Sequence, residues 1–168
     1  ALVVLRPGEV PVAPDETRYV HGIAALESAG QTDAAALFYT TALSLWPDST
    51  LALFGAGNNH YAQDDRAAAE ATYRRLLVLR PDHAAARNNL AHLLAERGCK
   101  EAAVAELDAG LADAGHDDPM RQHLLDTRAE ILSNDVAAAE AAASSCPSGM
   151  ATPHTSNADS RQSGINAK

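Results

Sequence analysis

The same local pattern returns along this chain every 34 residues. Trp46-Pro47-Asp48 recurs as Arg80-Pro81-Asp82, Tyr39 as Tyr73, Leu45 as Leu79, and Leu43 as Leu77 and then Leu111. Ala35, Ala69 and Ala103 fall in the same phase, and Gly30 and Gly98 stand two periods apart with Asp64 midway. A unit this short cannot cover its own apolar face, so the copies must stack on one another to make a core. Composition agrees. About a fifth of the 168 residues are alanine and only 4% are aromatic, which favours closely packed helices over sheets.

Each period divides into two segments with helical spacing of apolar residues. The first helices are predicted at 16–29, 50–63 and 84–97, and the second at 33–46, 67–80 and 101–114. In the second helices, Ala35, Tyr39, Ala42 and Leu43 share one face, as do Ala69, Tyr73, Leu76 and Leu77, and Ala103, Leu107, Gly110 and Leu111. Asp15, Asp48 and Asp82 are expected as N-caps of first helices, and Pro47 and Pro81 as stops for the helices before them. Gly30, Gly98 and Asp64 are expected to make the turns within each pair. The fold class predicted is all-α, a solenoid of helix-turn-helix units at 16–49, 50–83 and 84–117, closed by a capping helix at 118–132.

The cap begins with Asp118 and Pro119. Its apolar stripe is read as Met120, Leu124, Leu125, Ile131 and Leu132, and its polar outer surface as Arg121, Gln122, Arg128 and Glu130. Val136–Ala143 is expected as a degenerate partner helix within the 133–168 tail, and Ser144–Lys168 as disordered, because almost no large apolar residue offsets its ordering entropy. At the other end, residues 1–15 read as a strand-like run, Leu2 to Leu5, then a Pro-containing connector with Pro11 and Pro14. Ala1 is not a start methionine and no secretory leader pattern is present, so the chain is expected to be processed or excised.

A 34-residue helix-turn-helix period with Leu53, Ala56, Gly57, His60, Ala69, Tyr73 and Pro81 in its second copy resembles the tetratricopeptide repeat (TPR) family. The first copy keeps Tyr19, Leu26, Gly30, Ala35, Tyr39, Ala42 and Pro47 but has Gly22-Ile23 where Leu-Gly is usual; in the third, Gly115 replaces the terminal Pro. The resemblance covers about 16–132 and implies a right-handed superhelix whose groove, lined by first helices, holds a protein or peptide without catalysis. The strand, the Pro-Gly turn and the repeats together are also similar to the C-terminal part of bacterial C39-like cysteine peptidase proteins. That likeness implies a docking or bracing region behind an upstream catalytic domain, and carries no catalytic residue to any position here.

Phe54, Asn58 and Tyr61 share one stripe of the second unit's first helix, and Asn88 and His92, with Asn89 beside them, make the matching stripe of the third. These six are the candidate peptide-binding residues. Asparagine amides both donate to and accept from an extended main chain, and aromatic rings hold apolar side chains. The competing reading is structural, with the rings filling gaps between repeats and the amides bonding helix to helix. A clamp for a C-terminal carboxylate, known among TPR proteins, resembles this chain in Asn58 and Asn89, but Phe54, Pro119 and His123 stand where its basic residues would be.

The remaining constellations point away from catalysis. No HxxxH or HExxH pair, no G-x-S-x-G and no complete GxGxxG occurs, so no enzyme activity, metal or cofactor is expected. A formal charge of −9 disfavours nucleic acid. The longest uncharged apolar-leaning stretch, 34–46, is too short to span a bilayer. Two cysteines, Cys99 and Cys146, are read as fitting a reduced compartment, with any reactivity of Cys99 incidental. The acidic stretch Glu106, Asp108, Asp113, Asp117 and Asp118 is read as a solvated helix edge. The expected partner is a protein or peptide. Self-association into a homodimer through the Tyr19 or Leu124 helix is a further expectation, and the compartment, cytoplasmic or periplasmic, is left open.

Overall fold

The computed structural model describes residues 15–115, 118–133 and Cys146. Seven helices and no strand run among the described residues: α1 (Glu16–Ser28), α2 (Thr32–Leu45), α3 (Thr50–Ala62), α4 (Arg66–Leu79), α5 (Ala84–Glu96), α6 (Lys100–Asp113) and α7 (Pro119–Ser133). Through α6, each helix starts and ends 34 residues after its counterpart, and each lies within a residue or so of its predicted bounds. The helices pair as α1–α2, α3–α4 and α5–α6, a helix-turn-helix solenoid with α7 packed on its last pair. The predicted strand at Leu2–Leu5, the partner helix at 136–143 and the tail, Cys146 excepted, lie outside the described residues.

One turn is used three times. Gly30, Asp64 and Gly98 have φ of 72°, 62° and 80°, the left-handed region that glycine and, less easily, aspartate adopt. The residue after each donates its N–H back across the turn: Gln31 to the Leu26 carbonyl at 2.9 Å, Asp65 to His60 at 2.9 Å and Cys99 to Leu94 at 2.8 Å. These six-to-one bonds satisfy carbonyls that the ending helix leaves unpaired.

The N-caps correct the sequence reading. Asp15 caps α1, accepting from the Arg18 N–H at 2.8 Å, but α3 and α5 are capped by Ser49 and His83, which accept from Ala52 at 2.9 Å and Ala86 at 3.2 Å. Asp48 and Asp82 precede these caps by one residue, and Asp82 instead pairs with Arg80 at 3.0 Å. The true caps at 15, 49 and 83 keep the 34-residue step, whereas Asp48 stands one residue short of that step from Asp15. Ser49 also donates to Glu16 Oε1 at 2.6 Å, which ties the start of α3 to the start of α1.

The shared faces of the second helices form the core, with Ala35, Tyr39 and Ala42 buried in α2, Ala69, Tyr73, Leu76 and Leu77 in α4, and Ala103, Leu107 and Gly110 in α6. From α5, Leu90, Ala91, Leu93 and Leu94 pack with the α4 and α6 faces, each large side chain contributing about 1.5–3 kcal/mol by burial. On α7 the inward stripe is Leu124, Thr127 and Ile131, whereas Leu125 and Leu132 are exposed, about a third of a turn away from it.

The acidic stretch is not a uniformly solvated edge. Glu106 is buried and takes Arg87 Nη1 at 2.7 Å, while Arg87, 1% exposed, also donates from Nε to the Pro81 carbonyl at 2.9 Å. Asp108 pairs with Arg128 at 2.7 Å, and Asp118 accepts from the Met120 N–H at 2.8 Å at the start of α7. The cations come from α5 and α7, distant in sequence, so charge runs alone did not reveal them.

Cys99 and Cys146 form a disulfide across a separation of 47 residues, which overturns the reading of two reduced, incidental thiols. Cys99 is buried just before α6, and Lys100 Nζ donates to the Leu132 carbonyl at 3.1 Å, so the end of α7 lies beside the same turn. Spacing between two cysteines says nothing of pairing; only the return of α7 to this turn brings the second one near.

Candidate functional site

The first helices α3 and α5, with Tyr73 from α4, enclose an open hollow of about 340 Å³ lined by Asn58, Tyr61, Tyr73, Asn89 and His92. Four of these are predicted candidates. Asn58 Oδ1 accepts from Tyr73 Oη at 2.6 Å and from Asn89 Nδ2 at 2.9 Å, and Asn89 Nδ2 also lies 3.3 Å from Tyr73 Oη. This triad joins three helices and leaves the Asn58 Nδ2 donor and the Asn89 Oδ1 acceptor without a bond among the described residues. An amide donor and an amide acceptor are the groups that pair with the main chain of an extended peptide.

The walls are held from outside. Tyr61 Oη donates to Glu96 Oε1 at 2.6 Å, and the Arg66 guanidinium lies 4.4 Å from the centre of the Tyr61 ring while it pairs with Glu96 at 3.3 Å. The hydrogen bond to Glu96, with burial, raises the Tyr61 phenol above its ordinary value. Burial does the same for Tyr73, against a smaller opposing effect of the Asn89 donor. Both phenols therefore stay protonated and remain donors at neutral pH. His92 Nε2 lies 3.4 Å from Thr127 Oγ1, which braces the hollow against α7.

Two candidates stand apart from the hollow. Phe54 packs toward the core, its ring 6.4 Å from that of Tyr73 and 5.0 Å from that of His83, as the structural reading of the rings required. Asn88 does not line the hollow either; its Oδ1 is buried without a hydrogen bond among the described residues. Tyr73 is the lining residue that sequence reasoning missed, because its phase with Tyr39 marks it as core. The signal was present in the residue type: a recurring tyrosine, where phenylalanine would fill the same core, brings a polar tip that needs a partner.

The first repeat carries a parallel network on different residues. Tyr39 Oη donates to Glu27 Oε2 at 3.1 Å, and the buried Asn59 donates to Glu27 Oε1 and to the Thr32 carbonyl, both at 3.2 Å. Tyr39 and Tyr73 therefore both bond polar groups of first helices. Glycine at position 55, where Asn89 stands one repeat later, makes room for the Tyr39 ring. Among the described residues no group of three or more His, Cys, Asp or Glu is placed to hold a metal ion. No described helix is long and apolar enough to cross a membrane.

No protein-family model matches the chain, and no curated protein matches it. Solved structures do. The type III secretion translocator chaperone SycD of Yersinia enterocolitica, in complex with a peptide of the translocator YopD, is 13% identical, with a TM-score of 0.64 over 71% of this chain and 95% of that one. The TPR domain of P58(IPK) is 20% identical, with a TM-score of 0.63 over 70% of this chain and 33% of that one. The first TPR of Spaghetti (RPAP3), bound to the HSP90 peptide SRMEEVD, is 14% identical, with a TM-score of 0.59 over 70% and 94%. The chain thus has the TPR fold. These structures do not bear on the likeness to C39-like peptidase proteins, whose strand-like part lies outside the described residues.

Proposed function

We propose that this chain is a non-catalytic scaffold module that takes a segment of a partner protein, in extended form, into the hollow between α3 and α5. The observation that carries this reading is the Asn58–Tyr73–Asn89 triad. It spends one side of each amide on fixing the other, so the remaining donor and acceptor are pre-oriented and lose little freedom on binding. Tyr61 and His92 supply flat walls for side chains on either side. Two structures of the same fold hold peptides, which supports the ligand class. The disulfide favours an oxidising compartment as the place of work.

The test is a random-peptide display selected on the whole chain, followed by affinity measurement of a selected peptide against the variants Asn89→Ala and His92→Ala. Each removes a lining group without emptying the core, and each is expected to weaken binding at least ~10-fold, about 1.4 kcal/mol, with the helical circular dichroism unchanged. Peptides that bind both variants as tightly as the parent would place the ligand elsewhere.

A further inference from the structure

We propose that this chain pairs with a second copy of itself through the outer face of α2, the two helices lying antiparallel. Helix α2 packs on α1 and α3, and its third side faces away from the stack. That side carries Leu37, 68% exposed, Leu45, 50% exposed, and Phe38, 43% exposed. Leu37, Thr41 and Leu45 are spaced i, i+4 and i+8, so they make one stripe along the helix, and Phe38 borders it. Tyr19 holds that border in place, its ring edge-on to Phe38 at 6.3 Å and to Trp46 at 5.6 Å.

The repeat itself does not require this stripe. One and two periods on, Leu37 is replaced by Ala71 and Ala105, and Phe38 by Thr72 and Glu106. The polar groups of the face are already spent. Thr40 and Thr41 donate their hydroxyls to the Ala36 and Leu37 carbonyls at 3.0 Å, and Ser44 donates to the Thr41 carbonyl at 2.7 Å. A partner that covers this face therefore leaves no hydroxyl donor of α2 stranded.

Charge selects the occupant. Residues 34–46 carry no charge in a chain of net −9, so this is a face on which two copies can meet without bringing like charges together. The two ends of α2 are complementary. Asp33, exposed in its first turn, and Arg75, exposed on α4, have no ion-pair partner among the described residues. Arg75 donates to the Pro47 carbonyl, which places its guanidinium beside the far end of α2. Asp33 stands on the flank of the stripe opposite to Phe38, the flank toward Leu43, which packs against the α4 cluster. A two-fold axis through Thr41 sets Leu37 against Leu45 of the second copy and brings each Asp33 to the end where the other copy's Arg75 lies. The contact thus makes two ion pairs at the rims of an apolar centre, and the helix dipoles oppose one another.

A face one 14-residue helix long, about 21 Å, buries less than the about 800 Å² per partner of a standard interface. The dimer is accordingly a weak, reversible one. It does not depend on peptide binding, because the face lies outside the hollow between α3 and α5.

The experiment is sedimentation equilibrium of the whole chain over a dilution series, for the parent and for L37E, D33R, R75E and D33R/R75E, with circular dichroism as the check on folding. The parent is expected to pass from monomer to dimer as concentration rises. L37E puts a charge into the seam of each copy and is expected to weaken dimerisation at least ~10-fold. Each single reversal sets like charges opposite one another at both rims and is expected to weaken it at least ~5-fold. D33R/R75E restores opposite signs and is expected to return within ~3-fold of the parent. A parent that stays monomeric throughout, a dimer that L37E leaves intact, or a double reversal no better than the single ones would each overturn the proposal. All four substituted positions are exposed, and the charge reversals decide the matter even if L37E does not fold.

Discussion

His83 shows how one side chain couples the fold to pH. Its Nδ1 accepts the Ala86 N–H at the start of α5, a role open only to the neutral ring, and its imidazole stacks near Phe54. Burial pushes its pKa below the ordinary imidazole value, with nearby Arg80 pushing the same way and Asp82 and its own backbone opposing. The unfolded ring protonates near pH 6.5 while the folded one resists, so the unfolded state binds more protons and stability falls as pH drops through that value. His83→Asn keeps a capping oxygen and cannot titrate. The melting temperature of the parent is expected to fall more between pH 7.5 and pH 5.5 than that of the variant. Equal falls would mean that the imidazole is not what the acid attacks.

At the scale of elements, glycine decides how closely helices approach. A Cβ on Gly57 would lie 2.5 Å from Tyr73 Cε1, so α3 meets α4 with the tyrosine ring against bare backbone. Gly22, in α1, would meet nothing within 4 Å. The same change therefore has opposite signs at the two sites. Gly22→Ala is expected to stabilise by up to about 1 kcal/mol through helix propensity alone. At Gly57 the clash outweighs that gain: Tyr73 is 1% exposed and hydrogen-bonded at its tip, so it cannot move aside, and Gly57→Ala should cost about 1–3 kcal/mol. Denaturant midpoints of the two variants measure both. The Gly55-Ala56-Gly57 run is thus explained by the close approach of Tyr39 and Tyr73.

Across the whole molecule, stacking is local and the disulfide is the long-range restraint. Among the described residues, buried apolar side chains fall into two clusters, one around α1, α2 and the start of α3 and a larger one from α3 through α7, with Leu43 packed against both. A stack of this kind opens most easily from its ends. The Cys99–Cys146 bond closes a loop that contains α6 and α7, the end of the larger cluster. For a loop of that length the loss of unfolded-chain freedom is worth about 4 kcal/mol in the chain-entropy model, and native disulfides typically give about 2–4 kcal/mol. Cys146→Ser, or thorough reduction, should lower stability by that amount. Hydrogen exchange should speed up in α6 and α7 before α3 and α4. Uniform loss of protection would show that the bond restrains the stack as a unit.

The 34-residue step, the helix bounds, the left-handed turns at Gly30, Asp64 and Gly98 and the buried faces of the second helices were all legible in the sequence, because each depends on residues within a few positions of one another. Caps belonged to the same class: Asp15, Ser49 and His83 keep the period, and the choice of aspartates departed from it. Tertiary structure decided what depends on how each helix is rotated and which neighbour it meets. It turned Phe54 toward the core and brought the hydroxyl of Tyr73 to Asn58 and Asn89, it joined Arg87 to Glu106, and it carried Cys146 to Cys99. Local periodicity sets which face of a helix is apolar to within about a third of a turn. Bonds between polar tips are settled within a few ångströms, and only the completed stack fixes positions that finely.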